Sequence, residues 1–243
     1  MDSSSTLRGK CCYMRRIVLL LGVGVSFHGI VFAQNIKELK VLAYRGNERA
    51  QYNLALSYYT GEGLEQNTDS AIYWFERSAE AGVAFAQYNL GLIYQQGIGV
   101  ARNESEAEKW YLMAAHQDVS DAQFALGMIY YGNDCEKTSC GNALHYFSLA
   151  ALQNHHDAQN MLGNMFLSGE GVTVNYQEAL KWYRMAANAG HPEAEFNLGW
   201  MYYYARGVTK NNSIAVMWMK RAADQGNMKA SEFIRVNRLE RFL

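Results

Sequence analysis

The sequence predicts an all-α fold, a tandem array of about five 36-residue helix-turn-helix repeats with capping helices. Three observations carry this. Ala50, Ala86, Ala122, Ala158, Ala194 and Ala230 stand 36 residues apart each time, with no insertion. Within each unit, apolar residues recur at helical spacing. Gly, Asn and Asp then punctuate every unit at matching places.

The first element is an N-terminal segment, residues 1–33, that reads as an export signal. Arg15 and Arg16 precede an apolar run from Ile17 to Phe32, and Val31-Phe32-Ala33 offers smaller residues before a cut at Gln34. Met14 is an alternative start. The competing reading is an uncleaved anchor, but the run is about 16 residues and contains His28 and three Gly, short of the roughly 20 apolar residues of a spanning helix. Cleavage is the favoured reading, and no Cys follows the run for lipid attachment. Residues 34–49 then form a capping helix, because Ala43 and Gly46 fall in register with Ala79 and Gly82.

Five repeats follow, at 50–85, 86–121, 122–157, 158–193 and 194–229. Helix A of each carries Ala, then Leu four residues on (Leu54, Leu90, Leu126, Leu162, Leu198) and an aromatic four beyond that (Tyr58, Tyr94, Tyr130, Phe166, Tyr202). Spacing of four places these on one stripe. A small residue beside Leu (Ala55, Gly91, Gly127, Gly163, Gly199) lets a neighbouring helix come close. Gly-x-Gly turns follow at 61–63, 97–99 and 169–171.

Helix B begins at Asn67, Asn103, Ser139, Asn175 and Asn211, all residue types that accept from the free amides of a first turn. Glu106 and Glu178 add capping-box spacing. Ala71, Trp74 and Ala79 and their equivalents line the inner face. The helix ends at Gly82, Asp118, Asn154, Gly190 and Gly226, the types that tolerate a left-handed residue. Residues 230–243 start a sixth helix A that turns charged at Arg235, Arg238, Glu240 and Arg241, as a C-terminal cap needs.

Composition narrows the function classes. The 243 residues hold 21 Gly but 1 Pro, which excludes collagen-like and Pro-rich classes. Beyond residue 33 there remain 18 basic and 22 acidic side chains, a net of −4, so nucleic acid is an unfavoured partner. Cys135 and Cys140 lie in the turn of repeat three. With export, a loop disulfide between them is the expected state; a metal site is the weaker alternative, since C-x4-C has no second pair. No C-x-x-C, H-E-x-x-H, G-x-S-x-G or phosphate loop occurs, and no S-x-x-K after residue 33. No catalytic residue, metal or cofactor is expected. The histidines, His155 and His191 included, read as solvated loop residues.

The pattern A-x3-L-G, G-x-G-V, A-x2-W-x4-A-x2-G, nearly complete over residues 158–190, resembles the Sel-one-like repeat (SLR), a relative of the tetratricopeptide repeat. The resemblance covers about residues 36–235. It implies a right-handed αα-superhelix with a concave inner face, and an adaptor or scaffold role, often in secreted or envelope-associated bacterial proteins. It implies no catalytic set. One exported, cysteine-rich SLR subgroup binds or hydrolyses penicillin-type compounds, which makes action on such cell-wall compounds the alternative function. That subgroup has a Cys pair in every repeat, and here one repeat has a pair.

By the same resemblance helix A lines the groove. Its positions there are Tyr52, Tyr88, Phe124 and Phe196 in one column, Asn53, Asn89 and Asn197 in the next, and Tyr59, Gln95, Tyr131 and Tyr203 in a third, with Trp200 nearby. Asn amides can donate to and accept from a peptide backbone, and Tyr and Trp supply rigid contact area. Two other readings stay open: the aromatics pack between repeats, or the Asn column bonds an adjacent repeat. The expected partner is another protein or peptide, the expected state a monomer, and the expected location the periplasm or the medium.

Overall fold

The computed structural model describes residues 30–132 and 137–239, with side chains over 36–132 and 140–239. The export segment up to residue 29, Cys135, and the charged end at Glu240 and Arg241 lie outside the described residues. Twelve helices and no strand are described: α1 (Ile30–Tyr44), α2 (Glu48–Thr60), α3 (Thr68–Glu80), α4 (Ala84–Gln96), α5 (Glu104–Ala115), α6 (Ser120–Gly132), α7 (Lys137–Leu152), α8 (His156–Ser168), α9 (Tyr176–Asn188), α10 (Pro192–Tyr204), α11 (Asn212–Asp224) and α12 (Met228–Val236). They form two compact units, one running to Asn103 with α1–α4 and one from Glu104 with α5–α12. Within each, a helix packs on its neighbours in sequence, the pattern of an all-α solenoid.

The start and stop chemistry works as the residue types dictate. Asn67 accepts from Ser70 N at 2.8 Å, Asn175 from Glu178 N at 3.1 Å and Asn211 from Ile214 N at 3.0 Å. Each B-helix ends on a left-handed residue: Gly82, Asp118 (φ 59°), Asn154 (φ 65°), Gly190 and Gly226. Asp and Asn hold this conformation where glycine is absent because short polar side chains tolerate it. Repeat three departs from the pattern. Helix α7 already starts at Lys137, so Ser139 lies inside its first turn and not at its N-cap. This is the repeat whose turn has Cys135 in place of the second glycine.

The core follows the repeat columns. Leu54, Leu90, Leu126, Leu162 and Leu198 are buried, as are the column alanines of both helices except Ala223, which is half-buried. The small residue after Leu is a docking notch. A Cβ added to Gly127 would lie 2.5 Å from the Phe147 ring, one added to Gly163 would fall against the Tyr183 ring, and one added to Gly199 would lie 2.7 Å from the Ala215 carbonyl. Each neighbour belongs to helix B of the same hairpin. In α12 the same register position is Arg235, exposed to water, so the last helix A carries no notch.

A second column seals successive repeats. Gln51, Gln87, Gln123 and Gln159 are buried, and each Nε2 donates to the carbonyl eight residues earlier, in the last turn of the preceding helix: Ala43 at 3.2 Å, Ala79 at 3.1 Å, Ala115 at 3.3 Å and Ala151 at 3.1 Å. A buried polar side chain is tolerable only when so bonded. The fifth member is Glu195, a carboxylate with no exposed surface. Its Oε2 accepts from Gln225 Nε2 at 2.7 Å, and the Arg221 guanidinium stands 2.9 Å from Oε1, close enough for an ion pair but outside hydrogen-bond angles.

Candidate functional site

The sequence-derived groove residues divide between the two units. In the first, Tyr52 and Tyr88 are buried, Tyr59 and Gln95 half-buried, and Asn53 exposed. Tyr52 packs on Phe75 with ring centroids 6.0 Å apart, and burial pushes its hydroxyl up, against a smaller pull from Asn89. Asn89 is 1 % exposed, and its carboxamide, beside that hydroxyl, meets hydrogen-bond geometry with no described group. Tyr52, Tyr88 and Asn89 thus belong to the packed interior in this structure.

In the second unit the picture differs. Phe124 stacks on His155 at 4.5 Å, and the Tyr131 hydroxyl donates to Glu170. Asn197 Nδ2 donates to Asn160 Oδ1 at 3.0 Å and reaches Asn164 Oδ1 at 3.4 Å, the latter also taking the Tyr183 hydroxyl at 2.7 Å. The Asn197 amide therefore bonds the preceding repeat, as one of the open readings of that column has it.

On the same helix begins a cluster of five aromatic rings. Phe196, Trp200, Tyr203 and Tyr204 of α10 meet Phe233 of α12. Trp200 and Tyr204 stand 4.7 Å apart, Tyr203 and Phe233 5.2 Å, and Phe196 and Phe233 6.1 Å. The pairs are tilted or edge-to-face, the geometry aromatic quadrupoles favour. The cluster is not sealed: Tyr204 is 47 % exposed, Phe196, Trp200, Tyr203 and Phe233 are half-buried, and an open cleft runs between Phe196 and α12. Helical spacing of three to four residues along α10 puts its four rings on adjoining faces. Sequence reasoning found Phe196, Trp200 and Tyr203 and missed Tyr204 and Phe233. Phe233 was legible, since it continues the Asn197 column by one more period.

The repeat joints carry a further polar device. His155 and His191 are not solvated loop residues, as the sequence reading has them; their side chains are 12 % and 10 % exposed. Each caps helix A of the repeat that follows it, His155 Nδ1 accepting from Ala158 N at 3.3 Å and His191 Nδ1 from Ala194 N at 3.1 Å. An accepting Nδ1 leaves the proton on Nε2. His191 Nε2 then donates to Asp157 at 2.9 Å, and His155 Nε2 lies 3.6 Å from Asp121.

Burial pushes the Asp157 carboxyl up, but the His191 bond and the charges of His191, His155 and His156 outweigh it and hold it below its ordinary 3.8. A depressed carboxyl gives stability that is present above the unfolded value and lost as pH falls through the folded one. Asp157→Asn is expected to remove that part of the acid slope below pH 3.8. The effect should stay under about 1 kcal/mol, since water screens the half-open carboxylate. Urea melts at stepped pH check it; an unchanged slope in the variant counts against the pair.

This geometry matches known repeats. The Sel1 repeat model fits five consecutive segments, residues 48–83, 84–119, 120–155, 156–191 and 192–227. The chain belongs to the Sel1 repeat family. The matched segments keep the 36-residue period and begin two residues ahead of the alanine register. Among solved structures, a Sel1 repeat protein from Oxalobacter formigenes is 30 % identical with TM-score 0.78, over 86 % of this chain and 85 % of that one. A protective antigen of uropathogenic Escherichia coli displaying an SLR fold is 32 % identical with TM-score 0.77, over 82 % of this chain; the match spans 43 % of that antigen's length. No curated protein matches.

Sel1 repeat proteins are in general protein–protein interaction scaffolds and typically non-enzymatic. Among the described residues no group of three His, Cys, Asp or Glu is placed to hold a metal, and no helix is long and apolar enough to cross a membrane.

Proposed function

We propose that this Sel1 repeat chain is an exported scaffold that binds a protein or peptide on the aromatic face of α10 and α12. The observation that carries the reading is the half-open cluster of five rings. Rings already ordered against one another lose little freedom on contact, which is the profile of an interface hot spot. The Arg15-Arg16 pair and the apolar run after it support delivery to the periplasm or the medium, where a Cys135–Cys140 bridge would close the glycine-poor turn of repeat three.

Trp200→Ala is expected to weaken partner binding by about 2 kcal/mol or more, roughly thirtyfold, while the helical circular dichroism signal stays. The test places a photo-crosslinking side chain at Tyr204 in intact cells, with Tyr73 of the first unit as a second site. A discrete adduct from position 204 that Trp200→Ala removes supports the site. No adduct, or the same adduct from position 73, overturns it. Mass spectrometry of the secreted and periplasmic fractions checks cleavage before Gln34; a chain retained with residues 1–33 overturns the export reading.

A further inference from the structure

We infer that the partner element docked on this aromatic face is an acidic segment carrying an apolar anchor side chain; this rests on the binding site proposed above and adds its chemistry. The argument is the distribution of charge. From residue 192 to the end the sequence has eight basic and five acidic side chains, a net of +3. Residues 34–191 have 10 basic and 17 acidic, a net of −7. The aromatic cluster thus sits in the part of the chain where the sign reverses.

Two cations are near the rings, and two more lie on the surface of the same end of the chain. The Lys210 ammonium lies 5.1 Å from the Tyr203 ring centroid. Lys229 lines the cleft with Phe196 and Phe233. Arg235 and Arg238 are exposed on and just beyond α12. None of these four forms an ion pair among the described residues, whereas Arg221, Lys220 and Lys181 each do. Glu232 is the one carboxylate in the cleft.

The ammonium groups of Lys210 and Lys229, beside the rings and the cleft and without an ion pair among the described residues, lower the energy of a partner that brings carboxylates to the rim and an apolar side chain to the rings. They repel a basic one. Phe196 and Phe233, 6.1 Å apart with Val236 beside them, form the apolar floor for that anchor. The remainder of the chain, acidic as it is, would be repelled by an acidic ligand, so charge also steers the ligand to this end.

The experiment is a random-peptide display selection on the purified chain from Gln34 onward, followed by fluorescence anisotropy of the selected peptides. Acidic peptides with a Leu, Phe or Trp anchor should dominate the selection. Their affinity should fall at least tenfold in Trp200→Ala, fall several-fold from 50 to 300 mM salt, and fall at least tenfold in the double variant Lys210→Glu, Lys229→Glu. Trp200-dependent peptides that are neutral or basic overturn the acidic assignment and leave the site standing. Enrichment of no peptide that depends on Trp200 overturns both. Loss of peptide binding because the chain itself fills the face would appear as a dimer in sedimentation, and that outcome also overturns the assignment.

Discussion

Gly163→Val is expected to lower the stability of the second unit by about 3 kcal/mol or more. A Cβ at position 163 falls against the Tyr183 ring, which has no exposed surface and no room to retreat. That ring is fixed at its far end as well, by the hydroxyl bond to Asn164 at 2.7 Å. The added methyls must therefore part α8 from α9 along their whole contact. Intrinsic propensity argues the other way, because glycine costs about 1 kcal/mol in a helix interior.

The comparison that separates the two terms is Gly141→Ala. Gly141 lies in α7, exposed, with nothing within 4 Å of an added Cβ. That variant should gain about 0.5–1 kcal/mol. Denaturant melts of the two variants read opposite signs if the notch is real. A Gly163→Val protein as stable as the parent removes the close-approach account of the hairpin.

Glu195→Gln is expected to stabilise the chain by about 1–2 kcal/mol at pH 8. The other four members of this column show what the glutamine would do. Gln123 donates to the Ala115 carbonyl at 3.3 Å while its Oε1 accepts from Gln153 at 2.8 Å. Gln225 already occupies the place of Gln153 beside residue 195, and the Ala187 carbonyl waits in the place of Ala115. The carboxylate, by contrast, can only accept. Burial pushes its pKa up, and Arg221, Gln225 and His191 pull back without cancelling that.

The sign with pH follows. A carboxyl raised in the folded state binds more protons folded than unfolded between the two values. Its cost therefore grows as pH rises above the unfolded value of 4.5 and is complete above the folded one. The advantage of Glu195→Gln should accordingly be largest at pH 8 and fade towards pH 4, where glutamic acid is neutral. An equal gain at both pH values, or a loss at pH 8, contradicts the account.

The fold was legible because its determinants are local and repeated. Leu54 and its four equivalents, the alanines, and the left-handed stops at Gly82, Asp118, Asn154, Gly190 and Gly226 need only the period and the chemistry of helix ends. The glutamine seam was equally periodic but unseen, because Gln51 and its equivalents look like solvent-facing residues until the neighbouring carbonyl is placed. His155 and His191 escaped for a related reason: an imidazole serving as N-cap and carboxylate partner at once is visible only when two repeats are stacked. At the site, the column positions of Phe196, Trp200 and Tyr203 were readable. Which members of a column face water was not. Tyr88 and Phe196 share a column, yet one is buried and the other lines a cleft, and the difference depends on what each neighbouring repeat supplies.

The glutamine seam has one more implication. At four of its five positions the anchor is a glutamine that donates to main-chain oxygen, which every residue supplies, so that contact is indifferent to which residue lies opposite. The adjacent column, running Tyr52, Tyr88, Phe124, Asn160 and Phe196, is thereby relieved of setting the register. Its two half-buried members, Phe124 and Phe196, can then be rewritten separately, and a change of ligand need not be a change of scaffold.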